Sequence, residues 1–362
     1  MKWLHPLSLQ MILLFTLILF VHTSLQAQQI PGTVTGTVYD DSTKDPLIST
    51  AVYLSGTTIG VASNSKGDFT IRNIPPGIYE LLVRYLGYEQ KNLKFEIKSG
   101  ETINFGDIFL RVEPLVLDDV IVEAKRDQEW LDNYSLFKRT FLGESRNAKL
   151  TEIMNPEILE FSFDRSTNEL IATAPSELHI VNQSLGYELF TELNTFRFDT
   201  INHFIFYFHR TRFVELETDD PNQQDIWNRN RNTTYSGSFS HFLKSLVDGT
   251  AADVFNIANG DITHVNTRRA AVYGGTLRTE QLVFLVETKR EIPLIVYYQN
   301  QLRSEIQFTF LNVLLIDNYG NLMNPDKIIL HGDWALERMA DMLPTDKLIN
   351  SSDGNVGFSE TN

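Results

Sequence analysis

The sequence predicts an N-terminal all-β sandwich of seven strands, followed by an α+β domain with a substantial antiparallel sheet. Three observations predict it. Apolar and polar residues alternate with period two from Thr33 to Leu110, the signature of half-buried antiparallel strands. Turn signals at Asn64-Ser65-Lys66-Gly67 and Pro75-Pro76-Gly77 reverse the chain between these runs. Beyond Gln128, helical spacing and strand-like runs are mixed.

The first 27 residues read as a secretory signal peptide: a positive charge at Lys2, an apolar run from Met11 to Val21, and small Ala27 before Gln28, the expected cleavage point. That run is shorter than the ~20 apolar residues of a spanning helix, so no transmembrane segment is expected in the mature chain. The absence of cysteine excludes a lipid-modified N-terminus, disulfides, zinc thiolate sites and thiol catalysis. An exported chain without disulfides fits a bacterial envelope, either periplasmic or associated with the outer membrane.

The sandwich is expected over residues 29–111. Its strands fall near 33–39, 50–54, 58–62, 68–72, 78–85, 92–98 and 103–110, the density of a β-sandwich. Val34 and Val38 form one face of the first run, Phe69 and Ile71 one face of the fourth, and Tyr79, Leu81, Val83 and Tyr85 one face of the fifth. Asp40, Asp41 and Asp45 share one loop, and we read them as a solvated turn closed by Pro46.

The ordered set GTVYD at 36–40, Pro46-Leu47, AVYLSGT at 51–57, Gly67-Asp68-Phe69, IPPGIY at 74–79 and Gly87-Tyr88 resembles the carboxypeptidase-like regulatory domain. That resemblance implies a transthyretin-like sandwich. It also implies the setting in which such domains are common, the N-termini of Bacteroidota envelope proteins, including TonB-dependent receptors. The domain accompanies catalytic carboxypeptidases without holding their zinc site, and none of the eight histidines has the spacing such a site requires. No metal or cofactor is expected.

A linker or strand is expected over 112–127, where Leu117 to Ala124 (LDDVIVEA) resembles the exit strand of the same domain in TonB-dependent receptors. The residues that follow lack the regular lipid-facing alternation of a receptor barrel. The α+β domain is expected over 128–345. Gln128 to Glu144 places Trp130, Leu131, Tyr134, Phe137, Phe141 and Leu142 at helical spacing, with Gly143 near its end.

Strands are expected at 158–164, 169–174, 178–182, 187–198 and 202–216, then a helical region from Gln223 to Val247. Further strands are expected at 281–287, 293–298 and 303–316, with an amphipathic helix over Asp333–Met342 and a loose tail over 346–362. The sandwich together with FKRTFLGE at 137–144, WNRNR at 227–231 with YSGS at 235–238 and HFL at 241–243, and HGDWALERMADMLP at 331–344 resembles a group of Bacteroidota envelope proteins to which we attach no activity.

The formal net charge of −15 argues against nucleic acid as a partner, because phosphate binding needs a basic footprint. We find no nucleophile elbow, phosphate loop or dinucleotide fingerprint, and assign no catalytic residue. His203 and His209 are placed on one strand, partly exposed beside a core face of Phe204, Phe206 and Phe208.

The expected function is a non-catalytic exported envelope protein that binds an envelope protein or glycan through its two domains. A glycan or peptide hydrolase with a site assembled in the α+β domain is the alternative. In the segment 227–249, Tyr235, Phe239, Phe242 and Leu246 supply the core stripe, while Trp227, Arg231, Ser238, His241 and Ser245 share another side. The candidate binding residues are therefore Trp227, Arg231, Ser238 and His241. A solvated amphipathic helix explains these polar residues without function, and a helix break at Gly237 removes the alignment; in the binding reading Arg231 and His241 line a groove for an anionic ligand or acidic segment.

Overall fold

The computed structural model describes residues 30–113, 127–265, 281–288, 292–309, 311–317 and 320–348. The expected leader and Ala27–Gln28 cleavage point, most of the expected linker, and tail residues 349–362 lie outside them.

Seven strands form the predicted sandwich: β1 (Gly32–Asp40), β2 (Ala51–Leu54), β3 (Gly60–Ala62), β4 (Asp68–Ile74), β5 (Gly77–Arg84), β6 (Lys91–Ile97) and β7 (Thr102–Leu110). They make a three-stranded sheet, β4-β1-β7, and a four-stranded sheet, β3-β2-β5-β6. Alternation determines the inner faces. Val34, Val38, Phe69, Ile71, Tyr79, Leu81 and Val83 are buried in one cluster between the sheets. One expectation changes: β1 runs parallel to β7, so the pairing is not antiparallel throughout. Period two fixes which side chains share a face but not the direction of the neighbouring strand.

The aspartate loop behaves as a turn. Asp40 accepts hydrogen bonds from the Ser42 and Thr43 N–H groups and from the Tyr88 hydroxyl, while Asp41 pairs with Lys44 and Arg111. No group of residues suited to hold a metal ion occurs among the described residues.

Helix α1 (Gln128–Leu142) opens the second domain. Asp127 caps it by accepting from Trp130 N–H, and Gly143 ends it at φ 91°. Its buried Phe137, Phe141 and Leu142 lie in the same core cluster as Leu189, Phe196 and Phe213. These belong to a six-stranded sheet of β8 (Thr151–Ile153), β9 (Glu160–Asp164), β10 (Glu169–Thr173), β11 (Leu178–Asn182), β12 (Tyr187–Asp199) and β13 (Ile205–Glu215).

Helices α2 (Pro221–Tyr235) and α3 (Phe239–Asp248) and the short α4 (Ala251–Val254) come next. They are followed by β14 (Phe255–Ile257), β15 (Gly260–Val265), β16 (Gln281–Thr288), β17 (Leu294–Tyr298), β18 (Leu302–Phe308), β19 (Val313–Asp317) and β20 (Ile328–Gly332). The last seven strands make two sheets, β14-β17-β18-β20 and β15-β16-β19. Phe242 and Leu246 of α3 share a core cluster with residues of both sheets.

Several sequence expectations are corrected here. The single run 303–316 is two strands, β18 and β19, separated by residues 309–312. The helix expected over Asp333–Met342 is two 3₁₀ turns, Asp333–Leu336 and Met339–Asp341. The tail does not begin at 346, because α5 (Thr345–Leu348) is docked. Asp346 accepts from both the N–H and the hydroxyl of Thr58, and Leu348 is buried.

The histidine pair is also redistributed. His203 sits in the turn before β13 at φ 59°, and the assumed core face is inverted. Ile205 and Tyr207 pack on the core, while Phe204 and Phe206 are exposed, Phe206 by 57%. Both parities of this run are aromatic or aliphatic, so its alternation cannot select a face. Pairing with β12 selects it, by setting Tyr207 opposite buried Phe196.

Candidate functional site

The outer face of the β3-β2-β5-β6 sheet is not left to solvent. Tyr53 and Leu82 are cross-strand neighbours on that face, and both are buried. The second domain meets them with the outer face of β12 and β13. Arg210 of β13 donates from Nε and Nη2 to both carboxylate oxygens of Glu80, at 2.8 and 3.2 Å, and also pairs with Glu192. Arg84 pairs with Glu177 at 2.9 Å, and the Tyr53 hydroxyl donates to the same carboxylate at 3.0 Å. Burial pushes the Glu192 carboxyl above its ordinary range.

Main-chain bonds continue the junction. Gly56 N–H donates to the Thr211 carbonyl at 2.7 Å, and Phe213 N–H donates to the Thr57 carbonyl at 3.0 Å. The β2–β3 turn thus adds to the free edge of β13. Thr345 N–H donates in turn to the Gly56 carbonyl, tying α5 to the same point.

Beyond this turn a cleft of about 320 Å³ opens between the two domains. Gly60, Val61 and Ala62 of β3 form one wall, and Arg212, Phe213 and Val214 of β13 the other. Arg212 is the only charged residue lining it. Its guanidinium lies 4.1 Å from the Phe190 ring centroid and 5.4 Å from that of Tyr53, and His179 stacks on Phe190 at 4.8 Å.

A family model for the CarboxypepD_reg-like domain matches residues 34–122, the span of the sandwich and its exit. The N-terminal unit is a CarboxypepD_reg-like domain. No curated protein matches the chain. Among solved structures, a type II cohesin–X-dockerin complex from Acetivibrio cellulolyticus is 21% identical, covering 22% of this chain and 56% of that one, at a TM-score of 0.20. This chain therefore spans little more than half the length of that protein.

A candidate carbohydrate-binding protein from Bacteroides uniformis is 8% identical over 79% of this chain and 98% of its own, at a TM-score of 0.19. A DUF3823 family protein from Parabacteroides merdae is 12% identical over 55% and 85%, at 0.18.

The CarboxypepD_reg-like domain supplies eight of the eleven residues that line the cleft, and none of the four residues singled out in the sequence is among them. Arg231 is only 2% exposed; it donates from Nε to the Leu185 carbonyl at 2.7 Å and from Nη2 to the Gly186 carbonyl at 3.1 Å, and pairs with Glu215. Trp227, one turn earlier on α2, is buried and donates from its indole to the Gln183 carbonyl. Trp227, Arg231 and Tyr235 therefore form the buried face of α2.

Ser238 caps α3 by accepting from His241 N–H. The His241 ring accepts from Gly237 N–H at its Nδ1 and packs against Tyr235, Phe255 and Tyr298. Burial lowers its pKa to about 4. Gly237, at φ 83° and against the Tyr298 ring, separates the two helices, so the single helical wheel drawn through 227–249 does not exist. Arg231 and His241 support turns and a helix start instead of lining an open groove.

The raised carboxylates are likewise engaged. Burial lifts Glu337 to about 8 while its oxygens accept from Phe239 N–H, and Asp341, also raised by burial, accepts from Ser145 and Asn147. Sequence reading missed Arg212 because its aromatic partners are Phe190 on the neighbouring strand and Tyr53 in the other domain. The only local signal was the alternation of arginines at 210 and 212 opposite the apolar parity of β13.

Proposed function

We propose that this chain is a non-catalytic, exported envelope protein whose ligand site is the cleft between the CarboxypepD_reg-like domain and β13. The cleft itself carries the reading: binding sites concentrate at domain interfaces, and this one is walled by two sheet edges held together by ion pairs and main-chain bonds. Its lining combines strand main chain, apolar side chains and one guanidinium, a set suited to recognition. Export is supported by the leader-like N-terminus. Among the described residues no helix is long and apolar enough to cross a membrane.

The test places a photo-crosslinking residue at Ala62, in the cleft, or at Leu86, 95% exposed on the β5–β6 connection. In envelope extract, a discrete adduct is expected from position 62 alone, and it is lost when Val214→Trp fills the cleft. Identical adducts from both positions, or an adduct indifferent to Val214→Trp, would overturn the assignment.

A further inference from the structure

Arg212 stands apart from the other charges at the domain junction. Glu177 is engaged by Arg84 and Tyr53, Asp346 by Thr58, Glu215 by Arg231 and Lys347, and Arg210 by Glu80 and Glu192. Among the described residues Arg212 makes no hydrogen bond or ion pair, and its Nε is buried without an acceptor. A buried donor left unpaired is costly, so such groups in folded proteins call for an explanation. The ring of Phe190 lies under the guanidinium and that of Tyr53 lies nearby. A planar guanidinium packed on a ring keeps its N–H edge for an in-plane acceptor, and a carboxylate matches that fork in bidentate fashion.

The opposite wall offers a second, independent feature. β3 is an edge strand. Leu54 N–H bonds to the Ile59 carbonyl and Ser63 N–H to the Thr50 carbonyl, with Val61 opposite Val52 between them. By the alternation of an antiparallel ladder, Gly60 and Ala62 turn their main-chain groups away from β2, and no partner for those groups occurs among the described residues. An exposed strand edge is a template for another strand. Sugars are usually held on open aromatic faces, whereas Tyr53 here is buried beneath Arg212.

We infer that the cleft takes an extended acidic peptide segment, whose carboxylate pairs with Arg212 and whose main chain adds to the outer edge of β3. This rests on the cleft being the ligand site. At this junction Arg212 is the positive charge without a hydrogen-bond or ion-pair partner among the described residues, and the net negative charge of the chain disfavours acidic segments over the surface at large.

The probe is a short N-acetylated, C-amidated peptide alternating threonine and valine around one glutamate, compared with the same peptide carrying glutamine. Binding to the full chain is followed through the methyl resonances of Val61, Ala62 and Val214. The glutamate peptide is expected to shift them and to bind about tenfold more tightly than the glutamine peptide. Arg212→Met, which removes the charge and leaves an unbranched apolar side chain beside Phe190, removes that preference; Arg212→Lys keeps part of it. Ala62→Pro, which deletes an outward N–H without touching the β2 ladder, weakens both peptides.

A preference that survives Arg212→Met overturns the inference, as does sodium glutarate competing as well as the peptide. If both peptides bind alike and Ala62→Pro abolishes binding, the acidic specificity falls and the cleft reading stands. If neither peptide moves the methyls, the peptide inference falls, and the crosslink from position 62 decides the cleft separately.

Discussion

At the scale of single residues, Arg231 shows how a charge can be structural. Its guanidinium closes the turn that carries Leu185 and Gly186 and meets Glu215, which Lys347 approaches from the other side. Burial pushes the Glu215 carboxyl up, but Lys347 and Arg231 outweigh it and hold it below the ordinary carboxylate range. Removing one partner of a buried charge set leaves the others unpaired. Arg231→Met is therefore expected to destabilise the chain by about 3–5 kcal/mol. The check is a urea midpoint with unchanged slope, and an unaltered midpoint would refute this role. Nothing in the local sequence separates this arginine from a ligand-binding one, because its partners lie 16 residues and more away in the chain.

At the scale of elements, the start of α3 is sensitive to protons. Glu337 accepts from Phe239 N–H at that helix N-terminus, where negative charge is favoured, yet burial prevails and raises its pKa to about 8. A carboxylate raised on folding stabilises the fold fully below its unfolded value, near 4.5, and loses that contribution as pH rises through about 8. His241 and His209 have the opposite sense. Burial depresses both to about 4 from 6.5, so they withdraw stability as pH falls through that interval.

Above pH 6.5 the histidine contribution is complete, and the slope reports on the raised carboxylates. Stability is expected to fall between about pH 6.5 and 8, by on the order of a few kcal/mol. Glu337→Gln flattens that fall and is more stable than wild type at the upper end. Thermal unfolding across the range tests it, and parallel curves for the two proteins would refute it.

For the whole molecule, the decisive feature is the sheet face shared by the two domains. Glu80 and Arg84 of β5 reach Arg210 and Glu177 around the buried pair Tyr53 and Leu82. This contact positions β3 against β13 and so creates the cleft. Glu80→Ala combined with Arg84→Ala leaves Arg210 and Glu177 without these partners at a part-buried interface, at an expected cost of about 3 kcal/mol in domain coupling. Calorimetry is expected to resolve the unfolding of wild type as one transition and of the double variant as two. A single transition retained in the variant would refute the coupling.

The sequence alone determined the sandwich, its seven strands and their inner faces, because alternation and glycine–proline turns act over a few residues. It also located α1, where Asp127 and Gly143 act within their own turns. Only the tertiary structure decided which side of β13 faces the core, that β1 runs parallel to β7, and that Arg231 and His241 are internal supports. It alone brought Arg212 over Tyr53 from 159 residues away in the chain. Those outcomes depend on strand register and on the burial of a second sheet face, and both are set by contacts between segments remote in the chain.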